Sequence, residues 1–220
     1  MSEGLRRTPE NSVYINCPYD PEYLTGTLPV IMFTVLSCGY FPRCAREESP
    51  GRRFRNIVNI MSECQFAIHD LCRVEVDGET NLPRFNVPLE LGLYLGSSYT
   101  WYVGDVRDAS PSRASLIMES DRGRYHDFIS NIKGHDIAVH DDQPENYIKL
   151  IRDFLNPSAV DPEQKVRIPT NAEIQSAYEQ FRNYLADFLE REGPDYNYND
   201  LFRFIVYCIR TFEWYRVDEA

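Results

Sequence analysis

The sequence is poor in basic residues, with 23 lysines and arginines against 34 aspartates and glutamates in 220 residues and a net charge of −11. Since so acidic a surface repels a phosphate backbone, we predict no nucleic-acid partner. The sequence also lacks any run of about 18 consecutive apolar residues, so we predict no membrane-spanning helix and no membrane partner. The first residues, MSEGLRRTPENS, lack the apolar stretch of a signal peptide, and we therefore expect a cytoplasmic protein.

Motifs for metals and cofactors are missing as well. None of the six cysteines belongs to a C-x-x-C pair, and neither these nor the four histidines show zinc-ligand spacing, so we predict no metal site and reduced, mostly buried thiols. The absence of G-x-x-x-x-G-K and G-x-G-x-x-G excludes a nucleoside-triphosphatase loop and a dinucleotide fingerprint, and we predict no cofactor. Cys17 follows a predicted strand, but Tyr23 rather than an arginine lies six residues later, which argues against a phosphatase nucleophile.

Predicted strands and helices alternate along residues 12–155. Runs rich in β-branched and aromatic residues predict five strands, namely SVYIN (12–16), YFPRCA (40–45), CQFAIHD (64–70), ASLIMES (114–120) and HDIAVH (135–140). WYVGDV (101–106) competes with the fourth of these. Helical spacing of apolar residues predicts helices at 20–38, 52–63, 86–98, 124–132 and 144–155. This alternation predicts an α/β fold with a parallel sheet, and because Pro42 suits only an edge strand, we expect the flavodoxin-like strand order 2-1-3-4-5.

The C-terminal part is predicted to form a pair of helices behind a linker. Thr170 and Glu173 have the pattern of a capping box, and Asn199 is the expected cap of the second helix. Apolar residues then recur at steps of three and four, at Ile174, Tyr178, Phe181, Leu185 and Phe188, and at Leu201, Ile205, Cys208 and Phe212. We predict a flavodoxin-like domain at 12–156 and a helical hairpin at 170–216. The apolar faces of the hairpin are expected to pack on that domain or, alternatively, on a partner. A homo-oligomer is expected, and these helices are one candidate for its interface.

The carboxyl ends of the predicted strands carry the candidate site. In an open parallel sheet, ligands bind beyond these ends where the strand order reverses, here between the first and third strands. Asn16 ends the first strand, Asp70 ends the third, and Glu90 lies in the expected first turn of the following helix. Two carboxylates at one rim are typical of catalysis, although Glu90 can also simply favour the helix dipole and Asp70 can cap the next turn.

Four more residues at the same rim are candidates for substrate binding, namely Tyr19, Arg43, Arg84 and Asn86. Each has a structural alternative: the arginines can pair with Glu47 and Asp70, the tyrosine can pack against the first helix, and the asparagine can cap its own helix. His69 alternates with Asp70 along the strand, so it is expected to face the other side of the sheet as a core histidine.

Three segments resemble the nucleoside 2-deoxyribosyltransferase-like and TIR-like superfamily, namely VYINCPYD (13–20), FAIHDL (66–71) and FNVPLELGLYLG (85–96). The chain has L-E-L-G at 89–92, with Leu89 where an aromatic residue is common in that superfamily. The resemblance covers residues 12–155. It implies a flavodoxin-like fold and N-glycosidic bond chemistry on a nucleoside, a nucleotide or NAD.

By that resemblance, Glu90 would be the nucleophile, or the carboxylate that stabilises an oxocarbenium-like sugar. Asp70 would protonate or bind the leaving base, and Asn16 and Tyr19 would line the sugar and the base. The leading hypothesis is thus a glycosidase or a deoxyribosyltransferase-like enzyme, with hydrolysis and transfer both open. The alternatives are a TIR-like NAD-consuming or signalling effector of bacterial antiviral defence, and a non-catalytic nucleotide-binding module that docks partners through its helical tail.

Overall fold

Five strands form an all-parallel sheet in the order β2-β1-β3-β4-β5. Their bounds are Ser12–Asn16 for β1, Phe41–Arg43 for β2, Phe66–Asp70 for β3, Ala114–Glu119 for β4 and Ile137–Val139 for β5. The structure is a computed structural model, and it describes residues 7–47, 53–73, 85–99, 113–123, 129–132, 134–156, 168–193 and 196–212. The predicted α/β, flavodoxin-like topology is confirmed, with Pro42 on an edge strand, where its missing N–H costs no ladder hydrogen bond on the outer side.

The described residues contain six α-helices. They are α1 (Pro21–Ser37), α2 (Arg53–Ser62), α3 (Asn86–Tyr99), α4 (Pro144–Phe154), α5 (Asn171–Glu192) and α6 (Tyr198–Phe212). Asp20 caps α1, since its Oδ1 accepts a hydrogen bond from the N–H of Tyr23 at 3.0 Å. Of the helix predicted at 124–132, only a 3₁₀ turn at Ser130–Ile132 is seen, and 124–128 lies outside the described residues, as does the competing strand at 101–106.

The chain divides into two compact units. The sheet unit comprises Arg6–Pro18 and Arg43–Asp141, and it holds β1, β3, β4 and β5 with α2 and α3. The helical unit comprises Met1–Leu5, Tyr19–Pro42 and Asp142–Ala220, and it holds α1, α4, α5 and α6. Among the described residues of either unit, no helix is both long enough and apolar enough to span a membrane.

The helical unit packs around an aromatic cluster. Phe33 of α1 lies 4.9 Å from Phe181 and 5.5 Å from Tyr178, ring centre to ring centre, and Phe188 stacks on Phe204 at 4.7 Å. The apolar stripe predicted on α5 is therefore buried against α1 and α6 of the same chain. Because these rings bury large apolar areas, they supply much of the driving force that holds the helices of this unit together.

The caps of the two C-terminal helices were predicted with different success. The capping box at the start of α5 is present, with Thr170 and Glu173 each bonding the other's backbone N–H. The prediction that Asn199 caps α6 is wrong, because α6 begins at Tyr198. Asn197 takes that role: its Oδ1 accepts from the N–H of Asn199 at 2.8 Å, and its carbonyl accepts the first bonds of the helix. A run of several cap-forming residues leaves the position of the helix start ambiguous in the sequence.

The register of the sheet brings the strand ends level with one another. Asn16 lies beside His69, Asp70 beside Met118, and Glu119 beside Val139. The carboxyl ends of four neighbouring strands thus meet at one edge of the sheet unit, and the residues that end them become neighbours although they are far apart in the sequence.

Candidate functional site

Buried polar side chains collect at the carboxyl end of the sheet. They are Asn16, His69, Asp70, Glu90, Glu119 and His140. All are exposed by 1% or less except Glu90, which keeps 8% of its surface accessible. Because a buried polar group is costly unless it is hydrogen-bonded, the partners of these side chains determine what the site can do.

Glu90 is held by a tyrosine from the neighbouring strand. The Oη of Tyr14 donates to Glu90 Oε2 at 2.6 Å, the short distance typical of a hydrogen bond to a charged oxygen. Burial first, and then the negative charge of Glu90 and its hydrogen bond, raise the pKa of Tyr14 far above its ordinary value. Tyr14 therefore stays protonated, and it is a permanent donor to the carboxylate.

Glu90 points to the interior because it lies on the same face of α3 as the buried apolar residues. Val87, Glu90, Leu91 and Tyr94 form its buried face, whereas Leu89 is exposed. The prediction that Glu90 lies in the first turn is wrong, because α3 begins at Asn86 and Glu90 is its fifth residue. The stabilisation of Glu90 therefore comes from Tyr14 rather than from the unpaired N–H groups of the first helical turn.

The predicted cap of α3 is also corrected. Asn86 is the first helical residue and is exposed, and the carbonyl of Phe85 accepts the first helical bond, from the N–H of Leu89 at 2.9 Å. Pro88 lies in the first turn as predicted, where its missing N–H has no helical partner to lose. Asn86 is left as a surface residue at the start of the helix.

Asn16, at the end of β1, connects β1 to β3 and to α3 by hydrogen bonds. Its Nδ2 donates to the carbonyl of Val87 at 2.9 Å, which fixes the orientation of the amide, and to His69 Nδ1, also at 2.9 Å. His69 must therefore accept at Nδ1 and carry its proton on Nε2. Burial lowers the pKa of His69 to about 3, so the ring is neutral. His69 is the core histidine that the sequence predicts, with its ring centre 5.3 Å from that of Tyr94.

Asp70 is fully buried and has partners on two sides. Its Oδ1 accepts from the backbone N–H of Cys72 at 3.0 Å and lies 3.3 Å from Nε2 of His140, the residue that follows β5. The bond to Cys72 is the turn cap that the sequence offers as an alternative role for Asp70. Asp70, Cys72 and His140 each offer a metal-ligating atom, and these atoms lie within 4.8 Å of one another.

Arg43 takes part in a buried ion pair. Its Nε is 2.8 Å and 2.7 Å from the two carboxylate oxygens of Glu47, and its Nη1 is 3.1 Å from Glu63 Oε2. Arg43 is only 2% exposed, so the pairing with Glu47, rather than substrate binding, is the role that its contacts show. The second predicted arginine, Arg84, lies outside the described residues. Tyr19 belongs to the helical unit, directly before the cap of α1.

Cys17 lies within the electrostatic reach of both carboxylates. Burial raises the pKa of its thiol well above the ordinary value, and the charges of Cys44, Asp70 and Glu90 raise it further. A thiol in this environment stays protonated and is not a nucleophile. This environment agrees with the sequence argument against Cys17 as a phosphatase nucleophile.

The sequence alone did not identify Tyr14, Cys72 or His140 as site residues. Tyr14 looks like an ordinary core aromatic, since it lies inside a strand. His140 follows the fifth strand, so the rule that ligands bind at carboxyl ends of strands would have pointed to it. The helical unit has a cavity of about 310 Å³ bordered by Tyr147, Tyr178 and Arg182, but none of the predicted site residues lines it.

Comparison of the chain with protein-family models, with characterised proteins and with solved structures finds no match. The resemblance of three segments to the nucleoside 2-deoxyribosyltransferase-like and TIR-like superfamily therefore stays a prediction. The contacts of the site's own residues therefore define its chemistry.

Proposed function

We propose that this protein cleaves or transfers an N-glycosidic bond of a nucleoside, a nucleotide or NAD, with Glu90 as the nucleophile. The observation that supports the proposal is the 2.6 Å hydrogen bond from Tyr14 to Glu90 at the carboxyl end of the sheet. A carboxylate that is fixed in orientation by one hydrogen-bond donor has what a nucleophile at an anomeric carbon needs.

In the proposed reaction, an oxygen of Glu90 forms a bond to the anomeric carbon of the sugar. The glycosidic C–N bond breaks, and its electron pair leaves with the base. A purine or pyrimidine then takes up a proton from water, whereas nicotinamide leaves its positively charged form in NAD as a neutral molecule. Water or a second base then attacks the anomeric carbon and releases Glu90 as a carboxylate. Tyr14 keeps its own proton throughout, because its pKa is far above neutral pH, and it holds the carboxylate in place before and after each step.

Glu90 is a better candidate for direct contact with a substrate than Asp70. Glu90 is 8% exposed, whereas Asp70 is fully buried, and one oxygen of Asp70 already accepts a hydrogen bond from Cys72. The role of Asp70 as the proton donor to the leaving base thus rests on the resemblance alone. Asn16 supports the site by tying β1 to β3 and α3, since its amide nitrogen is used within the protein.

The proposal includes a location in the cytoplasm and a homo-oligomer formed through the C-terminal helices. Exposed aromatic side chains on α5 and α6 support the second point, with Tyr184 39% exposed, Tyr207 61% and Phe212 36%. Aromatic residues are enriched where protein surfaces meet.

The test of the proposed function is turnover by the full chain. The purified protein is incubated separately with NAD, deoxynucleosides and nucleoside monophosphates, and the free base is measured by chromatography. We expect base release from at least one substrate class, and a loss of about 100-fold or more in Glu90→Gln, because the amide cannot act as the nucleophile. Glu145→Gln is the control, since Glu145 is an exposed residue of α4.

Two outcomes would show the proposal to be wrong. One is the absence of base release from all three substrate classes, which would favour a non-catalytic binding module. The other is equal release by the wild type and by Glu90→Gln, which would place the chemistry elsewhere. If the enzyme is active, adding a second free base distinguishes transfer, which gives a new nucleoside, from hydrolysis, which gives the free sugar.

A further inference from the structure

We propose that Asp70, Cys72 and His140 form a binding site for one divalent cation of the zinc class at the carboxyl end of β3 and β5. The site does not depend on the N-glycosidic activity proposed above, since neither Glu90 nor Tyr14 belongs to it. It also differs from the sequence-based expectation of no metal site, which considered only local spacing of cysteines and histidines. Here the histidine lies 70 residues beyond the aspartate and reaches it through the order of the strands.

The distances between the donor atoms suit a tetrahedral centre. Two ligands about 2.0–2.1 Å from a zinc ion at the tetrahedral angle are about 3.3 Å apart. Asp70 Oδ1 and His140 Nε2 are 3.3 Å apart. A thiolate about 2.3 Å from the same ion would lie about 3.6 Å from each of the others. One ligating atom from each of the three residues lies within 4.8 Å of the other two, so their separations exceed those of a bound set by little more than about 1 Å.

The backbone holds these donors in place. Asp70 is the last residue of β3, and the N–H of Cys72, two residues later, is bonded back to it at 3.0 Å. The N–H of His140 donates to the carbonyl of Glu119 at 3.1 Å, which continues the pairing between β4 and β5. Donors that are fixed by strand ends lose little conformational entropy when an ion binds, and this favours affinity.

Burial gives these three residues a reason to bind a cation. Asp70 and His140 are 0% exposed and Cys72 is 2% exposed. A divalent cation would be the largest local charge in this buried site and would add to the hydrogen bond that Asp70 already accepts from Cys72. Solvated acidic clusters on protein surfaces, by contrast, are common without any ion.

The donor types select the metal. One sulfur, one imidazole nitrogen and one carboxylate oxygen suit zinc and similar transition metals, whereas magnesium and calcium prefer oxygen donors alone. Three protein ligands leave the fourth tetrahedral position for water or another small ligand. As a metal ligand, Asp70 would be unavailable as the proton donor to a leaving base.

The test uses the full chain, reduced and stripped of metal, with zinc and cobalt(II) as the probes. We expect one ion per chain, and for cobalt(II) the near-ultraviolet absorption that a thiolate ligand produces. Affinity for zinc is measured by competition with a chromophoric chelator. Cys72→Ser should lose the thiolate absorption and bind zinc at least about tenfold more weakly. Cys64→Ser is the matched control, because Cys64 is equally buried but lies before the amino end of β3.

A wild-type cobalt(II) spectrum without thiolate absorption would overturn the proposal whatever the variants do. So would equal zinc affinity in the wild type and Cys72→Ser, or equal losses in Cys72→Ser and Cys64→Ser, which would indicate binding by scattered thiols. Should Cys72→Ser fail to fold, His140→Gln provides the second variant. It should keep a thiolate signal but weaken zinc binding at least about tenfold.

Discussion

The helical unit and the carboxyl end of the sheet unit are both buried, but they are held together by different forces. Phe33, Phe181 and Phe188 each pack against another aromatic ring in the helical unit. These contacts require a good fit in shape but no donor or acceptor. At the sheet end, Tyr14 and Glu90 meet at 2.6 Å with one donor and one acceptor, and neither can be replaced by a side chain of similar size alone.

This difference shows where sequence changes are tolerated. Apolar packing responds to lost volume, and neighbouring side chains can relax into the space. A buried hydrogen bond responds to the loss of a single atom, because the remaining group has already given up its water. We therefore expect the largest losses of stability in the aromatic cluster and the most selective losses at the sheet end.

The largest effect is expected for Phe181→Ala in the aromatic cluster. Phe181 is fully buried and contacts Phe33 and Tyr178, so the substitution should lower the free energy of unfolding by about 3–5 kcal/mol. Urea unfolding followed by circular dichroism measures this loss. Phe212→Ala, at a 36% exposed position of α6, is the control and should lose much less. Equal losses would show that the cluster does not dominate the stability of the helical unit.

A smaller and more specific effect is expected for Tyr14→Phe. The change removes only the hydroxyl that donates to Glu90, and a hydrogen bond to a charged group contributes about 1.5–3 kcal/mol. In Glu90→Gln the Tyr14 hydroxyl still meets an acceptor, but the hydrogen bond is neutral and weaker, so the double variant should lose less stability than the sum of the two single variants. Tyr184→Phe, at a 39% exposed position, is the comparison. Simple additivity would mean that the charge on Glu90 adds nothing to the strength of this hydrogen bond.

The smallest effect is expected in the response of stability to acid. The pKa of His69 falls from 6.5 to about 3 on folding because the ring is buried, so the unfolded chain takes up the proton first as the pH falls. The contribution of neutral His69 is complete above pH 6.5 and is lost as the pH falls toward 3. Between pH 7 and pH 5 this loss is about 2 kcal/mol.

The check is urea unfolding at pH 7 and pH 5 in the wild type and in His69→Gln. The variant should lose about 2 kcal/mol less than the wild type over this interval, since glutamine does not titrate. His135→Gln, at an exposed position, should behave like the wild type. A wild-type loss that is unchanged in His69→Gln would mean that other groups cause the acid sensitivity.

The fold could be predicted from the sequence because the patterns that indicate strands and helices are local and recur along the chain. Each strand is a short run of β-forming residues, and a single proline, Pro42, was enough to place β2 at the edge of the sheet. The site was accessible only in part. The rule for strand ends pointed to Asn16, Asp70 and Glu90. Their hydrogen-bond partners depend on where each side chain points in the folded protein, and no local sequence pattern shows this.

Two errors at helix starts have one physical cause. The sequence suggested caps at Asn86 and Asn199, yet both lie inside the helices, and the accepting groups come from the preceding residues Phe85 and Asn197. The carbonyl that accepts the first helical hydrogen bond belongs to the backbone, so a residue with any side chain can supply it. An asparagine in the sequence therefore indicates that a helix starts nearby, but not at which residue it starts. Glu90 was expected in the first turn but is the fifth residue of α3, and its partner is Tyr14 rather than the helix dipole.

The hydrogen bond from Tyr14 to Glu90 also determines which chemical groups of a ligand can bind beside Glu90. Because Tyr14 donates its one hydroxyl proton to Glu90, the Tyr14–Glu90 pair presents acceptor lone pairs to a ligand. A sugar hydroxyl or an exocyclic amino group, each with a proton to donate, is complementary to it. A phosphate oxygen is not, because it would meet acceptors and negative charge. The uncharged sugar and base of a ligand are thus expected to face Glu90, with any phosphate turned away.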